Sequence, residues 1–261
     1  MSDVKGKVAI VTGAGRGIGR GIALAYGAAG LKVAVASRTR STVDSVTKEI
    51  TDAGGTAVGI TCDVGRRDQV YAMVEQAVKA FGTVDVLVNN AQGFGTDAKP
   101  APTPNLQPLE SFDEAEFEYT LRTGAWATLW GMKAAFPYLK NRGGKIINFG
   151  SNWGQVGYEG SAAYNATKEA IRGLTRTAAR EWGKYGITAY VINPSVQSDA
   201  MAQFQRDHPE EAAAAVQMVP LRRWGDPVRD AGGLALFLAS SASDYVTGMT
   251  FMLEGGWHMF P

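Results

Sequence analysis

Short apolar runs rich in β-branched residues alternate along the chain with longer segments whose apolar positions recur at helical spacing. Runs at 8–11, 32–36, 58–62, 84–88, 146–149, 187–192 and 250–253 read as strands. An amphipathic stretch ending at Ala29, and the segments 42–53 and 69–81, read as helices between them. Strands separated by helices of ten or more residues pair in parallel through right-handed crossovers. Their nearly continuous apolar character suits a sheet covered on both faces. The pattern predicts an α/β fold, a doubly wound parallel sheet of about seven strands, with no linker to divide residues 1–261 into two domains.

Two segments break the rhythm. Residues 92–108 hold many of the ten prolines and little apolar periodicity, which predicts an extended loop. Residues 198–220 carry Met201, Phe204 and Met218 at helical spacing between two prolines. Ligands of open α/β sheets sit outside the carboxyl ends of the strands, and both segments follow strands at that edge. A substrate-covering loop near 92–112 and a substrate helix or loop near 197–222 are therefore expected.

Composition narrows the classes of partner. With 26 Lys plus Arg against 25 Asp plus Glu, the net charge of +1 gives no reason to expect nucleic acid or an anionic membrane. The single cysteine, Cys62, excludes an internal disulfide and fits a reducing, cytoplasmic setting. His208 and His258, far apart and without ligand-spaced partners, predict no metal site.

After the first strand the chain reads Thr12-Gly13-Ala14-Gly15-Arg16-Gly17-Ile18-Gly19. Glycines at this density let the backbone turn tightly and approach a pyrophosphate, while the free N–H groups of the following helix face the negative charge. The second strand ends in Ser37-Arg38, where an acidic residue would hold the 2′-hydroxyl of NAD. A guanidinium there offers a permanently charged clamp for a phosphate. Arg38 and Arg16, with Ser37 assisting, thus favour NADP(H) over NAD(H).

The spacing Gly13-x-x-x-Gly17-x-Gly19 resembles the short-chain dehydrogenase/reductase family, whose fold is Rossmann-like. Further matches run through nearly the whole chain: Asn89-Asn90-Ala91, Ser151, Tyr164-Asn165-Ala166-Thr167-Lys168, Asn193-Pro194 and Gly255-Gly256. The resemblance implies that Gly13, Gly15, Arg16, Gly17, Ile18 and Gly19 bind the nucleotide, with Asn90, Ala91, Pro194, Val196 and Ser198. It implies too that Asp63 and Val64 contact the adenine, and that Lys168 holds the nicotinamide ribose. Tyr164 and Lys168, four apart on a helix, share one face. A neighbouring ammonium and the positive oxidised nicotinamide favour the phenolate, so the phenol is expected to titrate below its usual value of about 10. Tyr164 is then the general acid/base, with Ser151 polarising the substrate oxygen.

The chain departs from the family pattern at four places. Thr123 stands where the family has an asparagine that holds a proton-relay water. Gln92 replaces the glycine of Asn-Asn-Ala-Gly, and Ser195 that of Pro-Gly. The family threonine that touches the carboxamide has no clear counterpart, Ser198 or Asp199 lying nearest. Gln92, Trp153, Tyr158, Met201 and Phe204 are candidate substrate contacts, favouring a bulky or apolar ketone or secondary alcohol.

A second reading is a 3-oxoacyl thioester reductase, with Arg122, Arg172 and Arg176 as a patch for an acyl carrier. A reading of another class is a non-catalytic nucleotide sensor or scaffold. Trp126, Trp130 and Phe136 on the long helix, and Trp257, Met259 and Phe260 near the end, predict a homo-oligomer, a tetramer or dimer as the family commonly forms.

Overall fold

The computed structural model describes residues 2–259; Phe260 and the side chain of Asp199 lie outside the described positions. Seven parallel strands form one sheet: β1 (Val8–Thr12), β2 (Lys32–Ser37), β3 (Thr56–Thr61), β4 (Val86–Asn89), β7 (Gly144–Phe149), β8 (Ile187–Pro194) and β9 (Thr250–Leu253). Two short strands, β5 (Phe94–Gly95) and β6 (Pro100–Ala101), pair apart from it as an antiparallel hairpin. The order across the sheet is β3-β2-β1-β4-β7-β8-β9, so the succession of these parallel strands reverses between β1 and β4 and opens a crevice there. Each sequence-predicted strand is present, most of them one to two residues longer or shifted.

Helices α1 (Gly17–Ala28), α2 (Arg40–Asp52) and α3 (Arg67–Phe81) connect the first four strands. One apolar layer packs Ile22, Tyr26, Val33, Val35 and Leu238 on one side of the sheet. The other packs Ile10, Met73, Leu87, Leu139 and Ile146 on its opposite side. Alternate residues of the same strands feed the two layers, which is why the strands read as unbroken apolar runs.

The expected loop at 92–112 is more ordered than its prolines suggest: it holds the β5–β6 hairpin and a 3₁₀ turn at Leu109–Ser111. The long helix after it is α4 (Glu114–Leu121) joined to α5 (Ala127–Leu139) through a π-helical turn, Arg122–Trp126. Beyond β7 come α6 (Asn152–Val156), the 21-residue α7 (Ala162–Trp182), α8 (Asp199–Asp207), α9 (Pro209–Met218) and α10 (Gly233–Ala239). Among the described residues no helix is long and apolar enough to cross a membrane.

Candidate active site

The nucleotide turn is shaped by what its glycines leave out. Gly13 has φ +68°, and a Cβ there would lie 2.7 Å from Asn90 Nδ2. The same Asn90 amide donates to Thr12 O at 2.9 Å. Thr12 Oγ1 in turn accepts from the backbone N–H of Asn90 and Ala91 at 3.0 and 3.1 Å. The turn after β1 and the loop after β4 are thereby fastened together at the crevice.

A cleft of about 840 Å³ opens along this edge, lined by Gly13, Arg16, Gly17, Ile18, Ser37, Arg38, Asp63, Val64, Asn90, Ala91, Gln92, Thr123 and Ser198. Most of the sequence-predicted nucleotide contacts therefore meet in one place, and a cradle without Cβ atoms fits a dinucleotide pyrophosphate. Gly15 and Gly19 lie behind the lining: a Cβ on Gly15 would meet Thr42, and one on Gly19 would meet Asn90. Val196 pairs with Gly225 in an isolated bridge, and Pro194 with Leu253. Arg38 is exposed and donates from Nη1 to Tyr119 Oη at 3.0 Å, which aims it along the cleft wall.

Motif reading missed Phe94, Pro102, Gln203 and Arg206, which also line it. Met201 and Phe204, expected as substrate contacts, are not among the residues of this cleft; the Phe204 ring stacks on His208 with centres 5.2 Å apart. Cys62 touches the cleft but is buried in the core, and burial pushes its thiol up to about 12.

Ser151 follows β7 by two residues and caps α6, accepting from Trp153 N at 3.2 Å. The Tyr164 phenol lies near enough for the Ser151 hydroxyl to draw its titration down. Lys168, buried one turn on, donates from Nζ to Phe149 O at 3.0 Å and lies 5.2 Å from the Tyr164 ring centre. The three residues expected to act together are thus together.

Their electrostatics differ from expectation. Burial raises the Tyr164 phenol above its usual range, with the Ser151 hydroxyl pulling it back, and lowers the Lys168 ammonium to about 7. Both charged forms lose water in the same place, and that loss outweighs their mutual attraction. An oxidised nicotinamide, when bound, would add a positive charge that draws the phenol down.

The Tyr164 ring stands edge-on between Phe94, at 5.5 Å, and Trp153, at 6.0 Å. Trp153 stacks on Tyr158 with centres 4.1 Å apart and planes 11° from parallel. Two of the predicted substrate contacts thereby join one aromatic wall beside the phenol. Gln92 turns away from it, donating from Nε2 to Thr120 O at 3.0 Å and to Thr123 Oγ1 at 3.3 Å. Thr123 itself, 1% exposed, donates to Tyr119 O at 2.9 Å and accepts from Gly93 N at 3.1 Å. Of the arginines considered for an acyl carrier, Arg122 is paired with Asp97 and Arg172 with Glu169.

Known proteins of this shape agree with that geometry. A short-chain dehydrogenase family model described as enoyl-(acyl carrier protein) reductase matches residues 13–258. The chain is 35% identical to a 12α-hydroxysteroid dehydrogenase from a Clostridium species over 268 residues, covering the whole of both. It is similar to a candidate NAD(P)-dependent gluconate 5-dehydrogenase from Beutenbergia cavernae, solved with NADP at low occupancy. Identity there is 33%, TM-score 0.87 and coverage 98% of each chain. A 7α-hydroxysteroid dehydrogenase complexed with NADH and 7-oxo-glycochenodeoxycholic acid matches at 29% identity and TM-score 0.88, over 98% of this chain and 95% of that one. The chain belongs to the short-chain dehydrogenase/reductase family, oxidoreductases that act on alcohol and carbonyl groups with a nicotinamide nucleotide.

Proposed function

We propose that this protein is an NADP(H)-dependent oxidoreductase interconverting a bulky, apolar ketone and its secondary alcohol, with Tyr164 as general acid/base. The observation that carries the reading is the Tyr164 phenol beside the Ser151 hydroxyl, next to Lys168 and flanked by Phe94 and Trp153. The nucleotide, when bound, supplies or accepts the hydride. In the reducing direction Tyr164 gives its proton to the carbonyl oxygen while Ser151 hydrogen-bonds that oxygen and holds it in place. Lys168 steadies the resulting phenolate and holds the ribose; Thr123, fixed to the Gly93 loop, keeps the π-helical turn beside the site in register.

Arg38 and Arg16 on the cleft rim support a 2′-phosphate. The aromatic wall of Trp153 and Tyr158 supports a flat, apolar substrate such as a steroid ketone. A 3-oxoacyl thioester reductase is the second reading, favoured by the carrier-protein activity that describes the family model. Exposed Trp126 and Met259 support a homo-oligomer, and the reading is of a cytoplasmic protein.

Turnover of a 12-oxosteroid with NADPH, against a 3-oxoacyl thioester, tests the substrate class. Tyr164→Phe tests the chemistry: a loss of at least about 100-fold in kcat with nucleotide binding retained supports it. Nucleotide binding with no turnover of any carbonyl compound, unaltered by that substitution, would leave a nucleotide sensor or scaffold.

A further inference from the structure

The carboxyl edge of the sheet holds a second polar chain, which reaches Ser151 from the other side. Glu254 follows β9, whose register sets Leu253 beside Pro194 at the end of β8. The Gly255-Gly256 turn folds the backbone so that Trp257 N–H donates to Glu254 O at 3.1 Å and residue 258 returns over residue 254. The Glu254 carboxyl is 1% exposed; its Oε1 has no hydrogen-bond partner, and its Oε2 lies 2.7 Å from His258 Nδ1. Burial holds this carboxyl above the usual carboxylate range, with His258 pulling the other way.

His258 carries the chain onward. Its Nδ1 is 2.8 Å from Asn152 Nδ2, and Nε2 is 3.4 Å from the same nitrogen. Asn152, buried, offers Oδ1 to the Ser151 hydroxyl at 3.4 Å. Among the described residues, the titratable groups along this path are Glu254, His258 and, at its far end, Tyr164; Trp257, packed on Trp224, flanks the imidazole at 5.2 Å.

Donor and acceptor counting turns this contact into a coupling. Nδ1 faces a carboxyl oxygen and an amide nitrogen at once. Without a hydrogen it accepts from the Asn152 amide, which leaves Oδ1 directed at Ser151. With a hydrogen it donates, and the Asn152 amide must reverse, presenting its NH₂ to Ser151 Oγ instead. Ser151 has one hydroxyl proton, which it gives to Asn152 Oδ1 at 3.4 Å, and the neighbouring Tyr164 phenol competes for it. Only the reversed amide removes the Asn152 acceptor and commits the proton to the reacting oxygens.

We propose that Glu254 and His258 are positioning residues, whose shared proton sets, through Asn152, where the Ser151 hydroxyl points. The proposal rests on the reading of Ser151 and Tyr164 as the reacting pair. The deciding measurement needs no substrate: tyrosine labelled at Cζ is followed by NMR against pH in wild type, His258→Gln, Asn152→Ser and the double variant, with the Tyr164 signal assigned by Tyr164→Phe. The Tyr164 titration is expected to move in both single variants and to move no further in the double. Steady-state assays with NADPH and a 12-oxosteroid should show kcat down about tenfold in each single variant, a size typical of directly coupled neighbours. A titration step should also vanish from the pH profile, while nucleotide affinity stays as in wild type. A Tyr164 titration unmoved in folded single variants, or effects that simply add in the double, would overturn the proposal. If Tyr164→Phe leaves turnover intact, the catalytic reading fails instead, and the NMR result still decides the coupling.

Discussion

The Lys168 ammonium lies 5.2 Å from the centre of the Tyr164 ring and donates to Phe149 O rather than to the phenol. This lysine, which burial lowers to about 7, destabilises the fold while it is protonated in both the folded and unfolded chains. Between about 7 and the ordinary lysine range of about 10.4, the unfolded chain holds the extra proton, so stability rises with pH. Lys168→Met should therefore be more stable than wild type at pH 6, by about 1–3 kcal/mol, with the gap closing towards pH 10. Urea unfolding of the nucleotide-free protein at several pH values checks this, and a constant gap would contradict it.

Arg38 reaches the cleft with its guanidinium tied to Tyr119 Oη. Arg38→Ala should weaken NADPH binding at least about tenfold, the size of one charge-assisted phosphate contact, and barely alter NADH binding. Tyr119→Phe should weaken NADPH less, because it frees the arginine without removing it. Isothermal titration with both nucleotides separates the cases. Equal, unchanged affinities would return the cofactor to NAD(H).

Gln92 and Gly124 fit one another. A Cβ on Gly124 would stand 2.5 Å from Gln92 Oε1 and would also strike Thr167. Gly124→Ala should cost about 2 kcal/mol, as overpacked buried positions do. Adding Gln92→Gly should recover part of that loss, giving a measurable coupling in a double-mutant cycle by denaturant unfolding. Strictly additive effects would mean that the two residues do not share the space.

Trp153 and Tyr158 present their stacked rings beside the phenol. Trp153→Ala should raise KM for a 12-oxosteroid by at least about tenfold, since it removes a buried aromatic contact, and leave KM for a small acyclic ketone nearly alone. Steady-state kinetics on the pair of ketones measures it. Equal changes for both would make Trp153 a packing residue.

Strand periodicity and the glycine turn were enough to read the sheet and the nucleotide edge, because both depend on local spacing. Tyr164 and Lys168 were legible for the same reason, one helical turn apart. Arg206 and Gln203 were not, because which face α8 turns to the cleft depends on tertiary packing. Glu254 and His258 were invisible for another reason. His258 has no ligand-spaced partner in the sequence, yet among the described residues it meets a carboxyl four residues back and an amide 106 residues away. The phenol's direction of titration was also beyond the sequence, since burial decides it.

The aromatic wall makes the site its own optical reporter. Trp153 sits in van der Waals range of Tyr158 and at right angles to Tyr164, so a ligand wedged against that wall changes the indole's surroundings directly. With six tryptophans in the chain, the signal is isolated by subtracting the emission of Trp153→Phe. Occupancy can then be followed with unlabelled protein and dark ligands, before any substrate has been turned over.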